Sequence, residues 1–174
     1  ASIDPETCME YDKMFTITRA EVDDFIANCD PVTGAPITGY EIPSSILNWP
    51  AHGDESRGMS YYLAPFYDRN KNGDYEPELG DYPYYDIDNE LCHSQVPTMD
   101  ETEEGSIQGS ILADQVIKGD QTLWWVFNDK GNAHTETGGS AIGLEIRAQA
   151  FAFATNDEIN NMTFYSYEII NRST

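Results

Sequence analysis

In the C-terminal third of the chain, apolar and polar positions change places at every residue in two separate stretches. In AIGLEIRAQAFAFA, Leu144, Ile146, Ala148, Ala150 and Ala152 fall on one side of an extended chain, and Glu145, Arg147, Gln149, Phe151 and Phe153 on the other. A period of two belongs to a β-strand, whose successive side chains point to opposite faces. MTFYSYEIINRS alternates in the same way, and TNDEINN between them reads as a hairpin connection. Alanine is the best helix former, so helix competes for the first stretch; its flanking Gly, Phe and Ile favour strand. QTLWWVFND, aromatic and β-branched and closed by NDKGN, predicts a further strand. Antiparallel strands of this length, with small residues on one face, predict a β-sandwich.

Helical periodicity is clear at one place. In ITRAEVDDFIANCD, Thr18 and Glu21 have capping-box spacing, and Val22, Phe25, Ile26 and Cys29 then form one apolar stripe that reads as core packing. DPVTGAP stops this helix, and a second helical turn is predicted in PSSILNWP, ended by Pro50. Residues 51–114 are rich in Gly, Pro, Asp and Tyr and show little periodicity. Long structureless stretches are uncommon in compact domains unless something functional orders them. The tyrosines at 61, 62, 67, 75, 82, 84 and 85 can cover such loops with apolar area while each hydroxyl stays wet, and tyrosine clusters also line sugar clefts. The expected class is therefore mainly β: an antiparallel β-sandwich in the C-terminal part, a short N-terminal helix and long calcium-stabilised loops. The expected regions are a helical segment (1–50), a loop-rich calcium-binding region (51–114) and an incomplete sandwich (115–174). A sandwich needs its edges paired or covered. The given sequence stops at Thr174, just after a predicted strand. A fragment is expected, or a sheet completed by other chains or by the rest of the same polypeptide.

The calcium expectation comes from PFYDRNKNGDYEPELGDYP. Calcium takes about 6–8 oxygen ligands, and a loop offering side chains at positions 1, 3 and 5, glycine at 6 and a carbonyl at 7 can wrap it. With Asp68 as position 1, Asn70 is 3, Asn72 is 5, Gly73 is 6 and Asp74, through its carbonyl, is 7. Position 12 is Leu79, which cannot coordinate, so a bidentate carboxylate must come from Glu76 or Asp81. The prolines at 65, 77 and 83 keep EF-hand helices from flanking the loop. Two neutral asparagines lower the site's charge and suit roughly millimolar calcium; magnesium, with its strict octahedral demand, fits less well. The competing reading is a solvated Asn/Gly turn with its charges outward. Asp86, Asp88 and Glu90 also alternate and are either a second site or an exposed acidic loop.

Composition sharpens this picture. Nine Lys and Arg against 31 Asp and Glu give a net charge of −22, while 12% aromatic residues argue against disorder. Such a surface repels phosphate backbones and anionic lipid, which speaks against nucleic-acid and membrane partners, and it favours cations. Adaptation to marine salinity alone would also produce it, with stability then following ionic strength whatever the cation. No apolar run approaches the ~20 residues of a membrane span. ASIDPETC lacks the basic and apolar regions of a signal peptide and reads as a mature or trimmed terminus. Cys8 and Cys29 either form a disulfide or stay reduced, with Cys92 left over. Nucleophile signals are weak: Ser110 has no local basic partner, and His52, His93 and His134 are separated, His134 and Glu136 sitting in a Thr/Gly turn. No enzyme is expected.

APFYDRNKNGDYEPELGDYP, KGDQTLWWVFNDKGNAHTETGG and EIRAQAFAFATNDEINNMTFYSYEIINRST together resemble an N-terminal region of large secreted or cell-surface proteins of Bacteroidota. The resemblance runs from about Cys8 onward and rests on the motif pair DxNxDG…GDYP and GDQxxWWVFND. Asn72 stands where that group commonly has Asp, one charge fewer. The resemblance implies an extracellular or cell-surface location and export by the type IX secretion system, whose C-terminal sorting domain this sequence does not contain. The functional expectation is a calcium-stabilised structural or adhesive module. The alternative is a carbohydrate-binding or glycan-hydrolysing domain with structural calcium, using the tyrosine-rich region.

Overall fold

The computed structural model describes residues 5–85, 117–130 and 135–173. Strand β1 (Phe15–Thr18) joins β4 (Gln121–Asn128), β5 (Leu144–Ala152) and β6 (Phe164–Asn171) in a four-stranded sheet of order β1-β4-β5-β6. Every pair in it is antiparallel. A second, two-stranded ribbon pairs β2 (Phe66–Tyr67) with β3 (Tyr82–Pro83). Three helices, α1 (Pro5–Glu10), α2 (Arg19–Ala27) and α3 (Ser44–Leu47), lie in the N-terminal part. The alternating stretches are thus strands, and the connection between β5 and β6 carries a 3-10 turn, Glu158–Asn161, started by the Asp157 side chain accepting from the Ile159 amide.

Helix α2 begins where its capping box predicts. Thr18 Oγ1 accepts from the Glu21 amide at 3.2 Å, and the Thr18 amide donates to Glu21 Oε2 at 2.9 Å. Ser45 Oγ donates to the other Glu21 oxygen at 2.7 Å and ties α3 to α2. The apolar stripe is narrower than its periodicity suggested: Val22 and Phe25 are buried, whereas Ile26 is 38% exposed. A nine-residue helix lying on one short strand has only its central positions covered. Strand β1, FTIT, carries no alternation long enough to read; it forms because β4, about a hundred positions away, offers it an edge.

The core lies between the helices and loops on one side and the β1–β4 half of the sheet on the other. Ile17, Val22, Phe25, Ile46, Trp49, Phe66 and Trp124 are all buried in it. The β5–β6 half of the same face is polar. Arg147 is buried there, with Nε 2.8 Å from Glu145 Oε1 and Nη2 donating to the Tyr62 carbonyl at 2.7 Å. Glu145 also accepts from Arg172 Nε at 3.0 Å and Ser60 Oγ at 3.1 Å, so these charges fasten the sheet to the loops at 60–62. Beside them, between Leu63, Trp124, Arg147, Gln149 and Glu168, is a cavity of about 40 Å³. That is water-sized and far below the roughly 300 Å³ of a small-molecule site.

The mainly β expectation holds: among the described residues the strands make one antiparallel sheet and one two-stranded ribbon. Alternation reveals the two faces of a strand without revealing what covers each. The tyrosines do cover the loops, but not all keep wet hydroxyls: the Tyr75 hydroxyl donates to the Ile46 carbonyl at 2.8 Å, and the Tyr85 hydroxyl is buried with no hydrogen-bond partner among the described residues. Packing against Trp49 and the core outweighs hydration there. Of the two readings left open for Cys8 and Cys29, the reduced one holds: both are free thiols, with Asn128 Nδ2 3.9 Å from Cys8 Sγ and the Cys29 backbone paired with that of Pro36. Asp86, Asp88, Glu90, Cys92, His93, Ser110 and His134 lie outside the described residues.

Candidate metal site

The acidic loop leaves and rejoins the fold through the β2–β3 ribbon. Phe66 opposes Pro83 and Tyr67 opposes Tyr82, with the two tyrosine rings stacked 4.9 Å apart, so residues 68–81 form a loop clamped at its neck. Asp68 sits at the start, 8% exposed. Its Oδ1 accepts from the Lys71 amide and its Oδ2 from the Gly73 amide, both at 2.7 Å, so the first half of the loop winds around one carboxylate. That winding requires left-handed backbone at Lys71 (φ +59°) and Gly73 (φ +88°). At Gly73 a Cβ would also stand 2.8 Å from the Tyr62 hydroxyl, which leaves glycine as the residue that fits.

Asn70 and Asn72 form successive side-chain turns. Asn70 Oδ1 accepts from the Asn72 amide at 3.0 Å and Asn72 Oδ1 from the Asp74 amide at 2.8 Å. Both carboxamide nitrogens then reach one atom, Glu76 Oε2, at 3.3 and 2.6 Å. Side chains at loop positions 3, 5 and 9 are thus brought together. The Asp74 carboxylate turns away and accepts from the Tyr61 hydroxyl, leaving the backbone as its contribution to the loop.

Asp81 closes the loop from behind. It is fully buried, and its oxygens accept from the Arg69 amide at 2.9 Å and the Glu76 amide at 2.8 Å. Burial raises its pKa to about 6; the two amides pull it down, and the neighbouring Asp68 and Glu76 carboxylates push it further up. Of the two candidates for the bidentate ligand, Glu76 is the one whose carboxylate meets the asparagines. Among the described residues no three His, Cys, Asp or Glu side chains are grouped to hold a metal. The oxygens of this loop are a mixed set, carboxylate and carboxamide, with the Asp74 carboxylate committed to Tyr61.

No family model, no curated protein and no solved structure matches the chain. Chemical meaning must come from the loop and its supports. One support is His52, whose Nε2 accepts from the Tyr75 amide at 2.9 Å while Nδ1 lies 3.2 Å from the Tyr61 carbonyl. Those two partners require the neutral Nδ1–H form, and burial lowers the His52 pKa in agreement. His52 stacks on Tyr61 at 4.2 Å, so one imidazole fixes both the loop and the tyrosine that holds Asp74. A second support is Gly80, with φ +101°, where a Cβ would lie 2.4 Å from the Gly34 carbonyl. Arg69 adds a hydrogen bond to the Pro31 carbonyl at 2.9 Å, so the turn after α2 packs against the closing end of the loop. The sequence assigned Tyr61 only a general covering role and gave His52 and Gly34 none in the loop. The only available sign was the Gly80 in ELGDYP, which reads as punctuation until its neighbour is known.

Proposed function

We propose that the chain is a calcium-stabilised structural or adhesive module of an extracellular or cell-surface protein, without catalytic activity, exported by the type IX route. Calcium is held in the 68–81 loop by Asp68, Asn70, Asn72 and Glu76, with the Asp74 carbonyl completing the side-chain set and Asp81 binding or bracing from behind. The observation that carries this reading is the winding of the loop on the Asp68 carboxylate with Asn70 and Asn72 gathered about Glu76, whose carboxylate now meets their carboxamide nitrogens and would exchange those contacts for the ion. Each asparagine oxygen has a second lone pair beyond the amide it serves, and the Asp68 and Asp81 oxygens have the same spare capacity. A hard cation is what oxygen donors of this kind bind, and its charge would relieve the mutual repulsion of Asp68, Glu76 and Asp81. The four-stranded sheet is, in this reading, one layer of a β-sandwich.

Thermal unfolding in calcium and in EDTA tests the proposal. An ion bound only by the folded state, at about a hundred times its Kd, adds about 2.7 kcal/mol. For a chain of this size that is a rise in Tm of roughly 5–10 °C. Sodium chloride at matched ionic strength should not reproduce it. A Tm that is the same in calcium and EDTA, or that follows ionic strength alone, overturns the calcium reading.

A further inference from the structure

Asn72 is the only asparagine in the chain followed by glycine. That pair sets a nucleophile beside an electrophile: the Gly73 nitrogen, and Cγ of the Asn72 carboxamide. With no Cβ on the glycine, nothing on the following residue hinders their approach. The folded loop holds both partners in other bonds. The Gly73 amide donates to Asp68 Oδ2 at 2.7 Å, and this bond is buried although the Asn72 side chain is exposed. The Asn72 carboxamide is tied at each end, its Oδ1 accepting from the Asp74 amide at 2.8 Å and its Nδ2 donating to Glu76 Oε2 at 2.6 Å.

We propose that Asn72–Gly73 is a self-modification site, held shut by the folded loop and converted irreversibly when the loop opens. The step needs only water. Hydroxide removes the Gly73 amide proton, and the bared nitrogen bonds to Asn72 Cγ. The Cγ–Nδ2 bond then breaks, Nδ2 takes a proton from water and leaves as ammonia, and a succinimide ring remains. Water opens that ring at the side-chain carbonyl to give aspartate, or at the main-chain carbonyl to give isoaspartate; nothing is oxidised or reduced. In the closed loop the first event is blocked, because the amide proton lies in a buried bond to a carboxylate, whose charge also repels hydroxide. The product does not fit back. An aspartate at this position sets a carboxylate against Glu76 where a carboxamide now donates, and an isoaspartate adds a main-chain carbon inside the winding about Asp68. The chain thereby keeps a one-way record of loop opening. The chemistry is the same whether or not an ion fills the loop.

Base-catalysed amide exchange and ring closure both begin with removal of the Gly73 proton, so two readouts report one event. The test follows Asn72 by peptide mapping at mildly alkaline pH, in EDTA, for the folded chain, for Asp68→Ala and for the same chain unfolded in guanidinium chloride. Hydrogen exchange at the Gly73 amide is measured in parallel on the folded samples. In the unfolded chain Asn72 should convert ahead of every other asparagine. In the folded chain it should convert roughly tenfold more slowly or less, in proportion to the exchange protection of Gly73. Asp68→Ala, checked for folding by near-UV circular dichroism, should raise both rates together. If that variant does not fold, the wild-type comparison decides alone: a slowing far smaller than the Gly73 protection means that this amide is not the gate, and the proposal is overturned. A folded chain that converts as fast as the unfolded one overturns it too, as does an Asp68→Ala that exchanges freely at Gly73 yet converts no faster. So does an unfolded chain in which Asn72 stays intact.

Discussion

Arg147→Ala is expected to destabilise the chain by about 3 kcal/mol and to lower its Tm by roughly 6–12 °C. Arg147 is only 6% exposed at its side chain and faces Glu145, which is 14% exposed. Removing the guanidinium takes a donor from the Tyr62 carbonyl and leaves Glu145 with Arg172 as its remaining cation. Breaking a buried pair from one side typically costs about 3–5 kcal/mol, because the surviving charge has lost its compensation. Arg172 and Ser60 still serve Glu145, which places the effect at the lower end. Replacing both members, as Arg147→Met with Glu145→Leu, should cost less than Arg147→Ala alone, since the charges that then lose a partner, Arg172 and Glu168, are 43% and 40% exposed and can turn to water. The network also sets a pH sign. Burial raises the Glu145 pKa, but Arg147 and Arg172 outweigh it and hold the carboxyl below its ordinary 4.5. Its contribution is therefore fully present above about pH 4.5 and is lost as pH falls through the lower folded value. The gap between wild type and Arg147→Ala should narrow in acid. Denaturant unfolding across that range measures both effects, and a change within 0.5 kcal/mol at pH 7 would mean that the pair does not fasten the sheet to the loops.

Asp68→Ala should have the second largest effect, about 2–4 kcal/mol in EDTA, together with loss of any stabilisation by calcium. The Asp68 carboxylate accepts from Lys71 and from the buried Gly73 amide, and hydrogen bonds to a charged group contribute about 1.5–3 kcal/mol each. Structural and metal-binding roles coincide in this residue, so the alanine variant by itself does not separate them. Asp68→Asn helps to do so: it keeps an acceptor for one of the two amides while its NH2 faces the other, so it should retain only part of the stability in EDTA, yet lose most of the rise in Tm with calcium. If Asp68→Asn responds to calcium as wild type does, the ion is bound elsewhere.

What could be read from the sequence was whatever a local pattern encodes. The alternation in residues 144–152 and 164–171 gave the β5–β6 hairpin and the division of its two faces, because period two is fixed by the strand itself. The Thr18/Glu21 spacing gave the start of α2 for an equally local reason. DxNxNG placed the bend at Gly73, since glycine and asparagine spacing governs how a short loop turns, but not the winding of the backbone amides about Asp68. Long-range complementarity was not legible. Strand β1 exists because β4 receives it, and His52 supports the loop because a chain separated from it by twenty-odd residues brings Tyr75 to its Nε2. The inversion of polarity on β5 and β6 was half visible. The alternation assigned Arg147 and Glu145 to one face, but which face meets the core depends on Tyr62 and Arg172, remote in sequence.

Long-wavelength anomalous diffraction from crystals grown in millimolar calcium, refined without any restraint on the 68–81 loop, addresses the metal directly. A calcium-sized anomalous peak is expected within coordination distance of oxygens from Asp68, Asn70, Asn72 and Glu76. A well-ordered loop without such a peak, its asparagines still turned to Glu76 and water alone between them, would show that hydrogen bonds suffice to shape it and that the acidity of the chain serves some other end.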